Sequence, residues 1–153
     1  MTKLIIPAKG WILVCDGSKA LLFQNEGDGL AISLHLRHAK TAPDAPTRDM
    51  GTDHPGRSFS SVGKRRSAVE NPDLHDLAER KFLEDLVDEL ENIVVTQKAE
   101  FLVIAAPARA MGMLRAGLGK AARDILKAEI TKDLCRKPVA EIEAYLQAMR
   151  ELA

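Results

Sequence analysis

The chain predicts an α/β domain: a five-stranded mixed sheet in spatial order 3-2-1-4-5, with element order β-β-β-α-β-α-β-α and helices packed on the sheet. Three observations lead there. Apolar or alternating stretches separated by glycine turns come first, a long apolar stripe at helical spacing follows a polar interval, and a second buried run then alternates with helical patterns.

Trp11-Ile12-Leu13-Val14-Cys15-Asp16 is a nearly continuous run rich in branched and aromatic residues, the pattern of a strand buried on both faces. Gly17-Ser18 supplies a tight turn, and Ala20-Leu21-Leu22-Phe23-Gln24 returns as the second strand of a hairpin. Gly27-Asp28-Gly29 turns the chain again. Leu30, Ile32, Leu34 and Leu36 then alternate with Ala31, Ser33, His35 and Arg37, which predicts a strand with one face on the core and completes a three-stranded meander. From about residue 39 to 72, Pro43, Pro46, Pro55, Gly51, Gly56 and Gly63 break any period, and a polar loop is expected; a stretch of this length without its own structure is usually functional or disordered.

Asn71-Pro72-Asp73 opens a helix. Leu74, Leu77, Ala78, Phe82, Leu86, Leu90, Ile93 and Val94 form its apolar stripe, and Asp76, Glu79, Glu84, Asp85, Asp88 and Glu91 its acidic face. Phe101 to Ala106 reads as a second buried strand, and Pro107 starts a loop and a short helix carrying Met111, Leu114, Leu118 and Ala122. Ile125 to Ile130 alternates weakly, as a last strand, and Val139, Ile142, Tyr145, Leu146 and Met149 form the closing helix behind Pro138. The strand–helix–strand order near the end predicts a right-handed parallel crossover.

A length of 153 residues argues for one domain over 1–153, and 46% hydrophobic with 29% charged residues for an ordinary globule. Lys plus Arg equals Asp plus Glu at 22 each, so no whole-chain attraction to nucleic acid exists and only local patches carry charge arguments. Cys15 and Cys135 show no metal spacing and read as buried thiols of a reducing compartment. No metal or cofactor is expected. No apolar run is long enough to span a membrane, and Met1 to Gly10 lacks a signal-peptide core. The cytoplasm is the expected location, which argues against an adhesin acting directly at the surface.

Several stretches carry a family resemblance. Trp11 to Ala20, Asp53-His54-Pro55-Gly56-Arg57-Ser58-Phe59, His75, Ala105 to Arg109 with Met111 to Arg115, and Ile130 to Leu134 occur in an order that resembles the bacterial host attachment protein family. That family is named for a phenotype, attachment to host cells. It is similar in turn to the middle domain of archaeal and eukaryotic class-one peptide-chain release factors, and the strand order is that of ribonuclease-H-like domains. The resemblance implies a ribosome or RNA partner. The release-factor domain carries Gly-Gly-Gln in its loop; here Pro55-Gly56-Arg57 stands near that place and the loop has no Gln, so peptidyl-tRNA hydrolysis is not implied.

Three sites follow. The segment from Gly56 to Val69 carries Arg57, Lys64, Arg65 and Arg66, with Ser58 and other small neighbours and no acidic residue, a composition suited to phosphates; its alternative use is to pair with the acidic helix face behind it. Asp53, His54 and His75 are the candidates for acid–base chemistry, set against a reading in which Asp53 pairs with Arg57 and His75 packs at the helix start. Arg109 and Arg115 follow the carboxyl end of a strand, where open α/β sheets bind ligands; they read as an anion site shared with Arg57, set against a reading in which Pro107 only starts the helix and its arginines are solvated. Asp16 and Asp133 are too few for a two-metal nuclease, and Asp16 before Gly17 reads more simply as a turn residue. The expected function is a non-catalytic binding module for RNA, the ribosome or an acidic protein; the alternative is a hydrolase of a phosphodiester or an acyl-tRNA-like ester.

Overall fold

The computed structural model describes residues 4–43 and 72–151. Its strands are β1 (Trp11–Cys15), β2 (Lys19–Asn25), β3 (Leu34–Thr41), β4 (Leu102–Ala106) and β5 (Leu126–Thr131). Among the described residues the helices are α1 (Pro72–Thr96), α2 (Ala108–Gly117), α3 (Lys120–Ile125) and α4 (Val139–Glu151). The sheet order is β3-β2-β1-β4-β5, the predicted 3-2-1-4-5. β2 pairs antiparallel with β1 and β3, while β4 runs parallel to both β1 and β5.

β1 shows why a continuous apolar run marks a central strand. All five of its residues are buried, because the sheet is covered on both faces. On one face Leu13, Ala20 and Leu22 pack against Phe82, Leu86 and Leu90 of α1 and against Met111 and Leu114 of α2. On the other, Ile12, Val14 and Phe23 pack against Ile142 and Leu146 of α4 and against Leu4 and Ile6. Removing this much apolar surface from water is the main stabilising term of such a fold.

Three expectations are corrected. First, Leu30 and Ile32 do not belong to the third strand, which starts at Leu34. Their backbone is held by side chains of α4: Gln147 Oε1 accepts from Ile32 N at 3.2 Å and Gln147 Nε2 donates to Leu30 O at 2.9 Å. Glu143 accepts from Leu34 N at 2.8 Å. A backbone satisfied by a helix has no need of a ladder, so the alternation there is not strand pairing. Leu36 is 52% exposed because it lies on the edge strand, beyond the cover that α4 gives Leu34.

Second, β3 runs on to Thr41 where a loop was expected from residue 39. Lys19, Ala20 and Leu21 pair with Thr41, Lys40 and Ala39, and the register shifts at Leu22/Phe23, so that Arg37 is an extra, bulged residue. Lys40 makes the polar end of the strand compatible with packing: its ammonium bonds Glu89 at 2.8 Å and lies 5.8 Å from the centre of the Phe82 ring.

Third, the single helix expected after Pro107 is two. Leu118 leaves helical geometry with ψ 136° between Gly117 and Gly119, and α3 restarts at Lys120. Glu91 of α1 directs the restart. Its carboxylate accepts from Ala121 N at 2.9 Å and Ala122 N at 3.0 Å, doing for α3 what a capping side chain does within its own helix. A Cβ on Gly119 would lie 2.5 Å from the Glu91 carboxyl carbon, so this position leaves room for the carboxylate. Glu91→Ala is expected to destabilise the protein by about 1 kcal/mol, with Gly119→Ala adding little once Glu91 is gone. Urea unfolding of the two single variants and the double variant measures that coupling; strictly additive losses would show that the glycine and the carboxylate act independently.

Candidate functional site

The carboxyl ends of β1 and β4 lie side by side, and the polar residues of this end come from three places. Asp16 follows β1 and builds the hairpin turn: its Oδ1 accepts from Ser18 N and Lys19 N, both at 2.8 Å. Every oxygen-to-backbone bond it makes is local, the geometry of a turn residue. Pro107 caps α2 in extended conformation, and Arg109 stands in the first turn of that helix. Arg109 Nε donates to Glu79 Oε1 at 2.7 Å, and its Nη2 pairs with Asp76. The hydrogen bond to Glu79, then the charge of Asp76, holds the guanidinium above its ordinary range, so it is permanently cationic. Glu79 also closes over Gly17, where a Cβ would come within 2.5 Å of its carboxyl carbon. One carboxylate thus joins the β1–β2 turn, α1 and α2.

Of the sequence-predicted residues, the structure brings His75 and Arg109 to the same end. His75 is exposed in the first turns of α1, beside Asp76, whose carboxylate holds Arg109. Arg115 is not part of this cluster. It sits six residues further along α2 and binds Glu129 of β5, with Nε to Oε1 at 3.0 Å. Asp53, His54, Arg57, Ser58, Lys64, Arg65 and Arg66 lie outside the described residues.

Sequence reading offered the acidic face of α1 only as a partner for the basic segment before it, and missed the partners it has within the described fold. Asp76 and Glu79 hold Arg109, Asp85 pairs with Lys81 at 3.2 Å, Glu89 with Lys40 at 2.8 Å, and Glu91 caps α3. The signal available in the sequence was position alone: Asp76, Glu79, Glu89 and Glu91 flank the apolar stripe, where they meet neighbouring elements, Asp85 pairs within α1, and Glu84 and Asp88 are exposed.

The two cysteines, both buried and both free thiols, lie near this end. Cys15 belongs to the cluster under α1 and Cys135 to the cluster under α4, so the sheet separates them. Burial pushes the Cys15 thiol well above its ordinary value, with Cys135 and the carboxylates of Asp16 and Asp133 adding to it. Burial likewise pushes Cys135 from 9.0 up to about 12. Neither is a thiolate at neutral pH, so neither is an activated nucleophile. Because the unfolded thiols ionise near 9.0 and the folded ones only at higher pH, the unfolded chain loses protons first. Stability contributed by the neutral thiols is intact below pH 9.0 and declines between there and about 12. Urea midpoints measured from pH 8 to 10.5 should fall, and fall less in Cys135→Ala; a flat profile in the parent would count against burial as the cause.

No group of three or more His, Cys, Asp and Glu residues placed to hold a metal ion occurs among the described residues. No described helix is long and apolar enough to cross a membrane.

No curated protein matches the chain. The profile of a family described as "Protein required for attachment to host cells" matches residues 11–146. That span runs from the first residue of β1 into α4 and takes in the whole sheet and the Arg109 cluster. The chain therefore belongs to the family of proteins required for attachment to host cells.

Proposed function

We propose that the chain is a non-catalytic binding module that contacts RNA, free or in the ribosome, through the basic segment from Gly56 to Val69, and that its role in attachment to host cells is downstream of that contact. The observation that carries this reading is that the acidic face of α1, Glu84 and Asp88 apart, is engaged within the described fold. Asp76, Glu79, Asp85, Glu89 and Glu91 have partners in the described fold, so the helix that follows the basic segment is a poor source of neutralising charge for Arg57, Lys64, Arg65 and Arg66. Arg109 and Arg115 are held by carboxylates of their own, which makes them weaker anion ligands than the segment's cations. The ribosomal context rests on the resemblance to the release-factor middle domain read from the sequence, and the missing Gly-Gly-Gln favours binding over hydrolysis.

The test is co-sedimentation of the purified protein with ribosomes, and titration of it into single-stranded RNA, across a salt series, beside the Arg57→Ala, Arg65→Ala, Arg66→Ala variant. Salt-sensitive binding that collapses in the variant supports the reading. Absence of binding at low salt refutes it. Turnover of a phosphodiester or ester that His75→Ala abolishes would establish the hydrolase alternative in its place.

A further inference from the structure

A cavity of about 310 Å³ opens at the amino ends of β1 and β4, the end of the sheet opposite the Arg109 cluster. Its walls are the Pro7–Gly10 turn and the Gln97–Phe101 connection from α1 into β4, joined by the bond from Trp11 N to Phe101 O at 2.9 Å. Among the described residues, two non-glycine residues have positive φ: Lys9 at 69° and Lys98 at 54°. Both line this cavity.

Neither position asks for a lysine on structural grounds. Lys9 is the third residue of a turn closed by Gly10 N to Pro7 O at 3.0 Å, a place where positive φ favours Gly or Asn. Lys98 ends α1 in a Schellman arrangement, with Ala99 N bonded to Val94 O and Lys98 N to Val95 O, the position glycine occupies most readily. Both side chains are exposed, and neither ammonium has an ion-pair partner among the described residues. Two turns with positive φ therefore each place a lysine in the lining of one cavity.

We propose that Lys9 and Lys98 bind the phosphate group of a small organic phosphate monoester in this cavity. The backbone N–H groups of Lys9, Gly10, Lys98 and Ala99 already have carbonyl partners, so the ammonium groups supply the attraction. Lysine serves phosphate as a point charge. Two cations against the single carboxylate lining the cavity, Glu100, leave a net positive site suited to a dianion. Its volume is that of a small-molecule site, and the half-buried Phe101 offers an apolar surface to the esterified part. The described lining includes no residue of the segment between Gly56 and Val69, and the two proposals are tested by different variants.

The chain's one tryptophan, Trp11, lines the cavity and reports on it directly. The full chain is titrated with AMP, and separately with inorganic phosphate, at low and matched ionic strength, following Trp11 fluorescence. A saturable change is expected. The Lys9→Gly, Lys98→Gly double variant should lose on the order of tenfold or more in affinity while its melting temperature rises, because glycine relieves both left-handed turns. Glu100→Gln should tighten binding. Equal affinity for phosphate and AMP assigns the site to the phosphate group alone, and tighter AMP assigns part of it to the organic moiety; both support the proposal. It is overturned if the parent protein shows no saturable change, or if the double variant binds AMP as the parent does. A fall in the double variant's melting temperature would overturn it too, by showing that the lysines are there for the fold.

Discussion

Replacing Arg57, Arg65 and Arg66 together by alanine is expected to flatten the salt dependence of RNA binding. Each phosphate neutralised on a single strand adds about 0.7 to the slope of log affinity against log salt. If all four cations between Gly56 and Val69 contact phosphate, affinity falls roughly fiftyfold between 50 and 200 mM salt; with Lys64 alone it falls roughly threefold. The slope is a sharper readout than affinity, because it counts contacts and is insensitive to the active fraction of the preparation. A variant whose slope equals that of the parent would remove the segment from the interface, whatever the absolute affinity. Arg115→Ala serves as the control: its guanidinium is held by Glu129, so the slope should change little.

Asn25→Ala is expected to cause the largest loss of stability of any single polar change in the described fold. Asn25 is the only polar side chain there that is fully buried. Its Nδ2 donates to Ile6 O at 3.0 Å, Pro7 O at 3.1 Å and Asp28 O at 3.3 Å, and its Oδ1 accepts from Gly27 N and Ser33 N, both at 2.9 Å. Backbone bonds from Lys9 N to Asn25 O and from Asn25 N to Gly10 O complete the node. One side chain thus fastens the N-terminal segment and the Glu26–Ser33 loop to the end of β2. Alanine leaves several buried backbone groups unsatisfied at once, for a loss of about 3–4 kcal/mol and a melting temperature lower by about 10 °C. Asn25→Asp keeps the acceptor for Gly27 and Ser33 but turns a carboxylate toward three carbonyls, so it should be less stable at pH 7 than at pH 4, where a protonated acid donates one bond. Urea unfolding at the two pH values measures both. A loss under about 1 kcal/mol for Asn25→Ala would mean that the loop rearranges freely and that Asn25 is not the node. Gly27 shares the constraint, since a Cβ there would collide with the Ala31 carbonyl.

Periodicity and composition suffice for the inner strands of the sheet. The run from Trp11 to Cys15 is apolar at every position because both sheet faces are covered, and the same holds for Leu102 to Ala106. Leucine and phenylalanine at helical spacing from Phe82 to Val94 mark the buried stripe of α1, because a helix against a sheet hides one side only. The stripe overreaches at its start: Leu74 and Leu77 are 55% and 60% exposed, since this part of α1 lies beyond the core. Burial marks the two wholly apolar strands as inner ones; their neighbours were expected from the likeness to ribonuclease-H-like domains.

The sequence by itself determined the α/β class, the number of strands and the burial of Cys15, because each is set by how apolar residues repeat along the chain; the expected strand order came from the likeness to ribonuclease-H-like domains. Only the tertiary structure decided which acid meets which base. It placed Glu79 on Arg109 across 30 positions, Glu91 on the start of α3 and Gln147 on the Leu30–Ile32 backbone across 115 or more. It also brought Lys9 and Lys98 to one cavity. Such pairings carry no periodic signature. They depend on where elements distant in sequence come to rest, and polar groups take their partners only after burial of the apolar faces has fixed that arrangement.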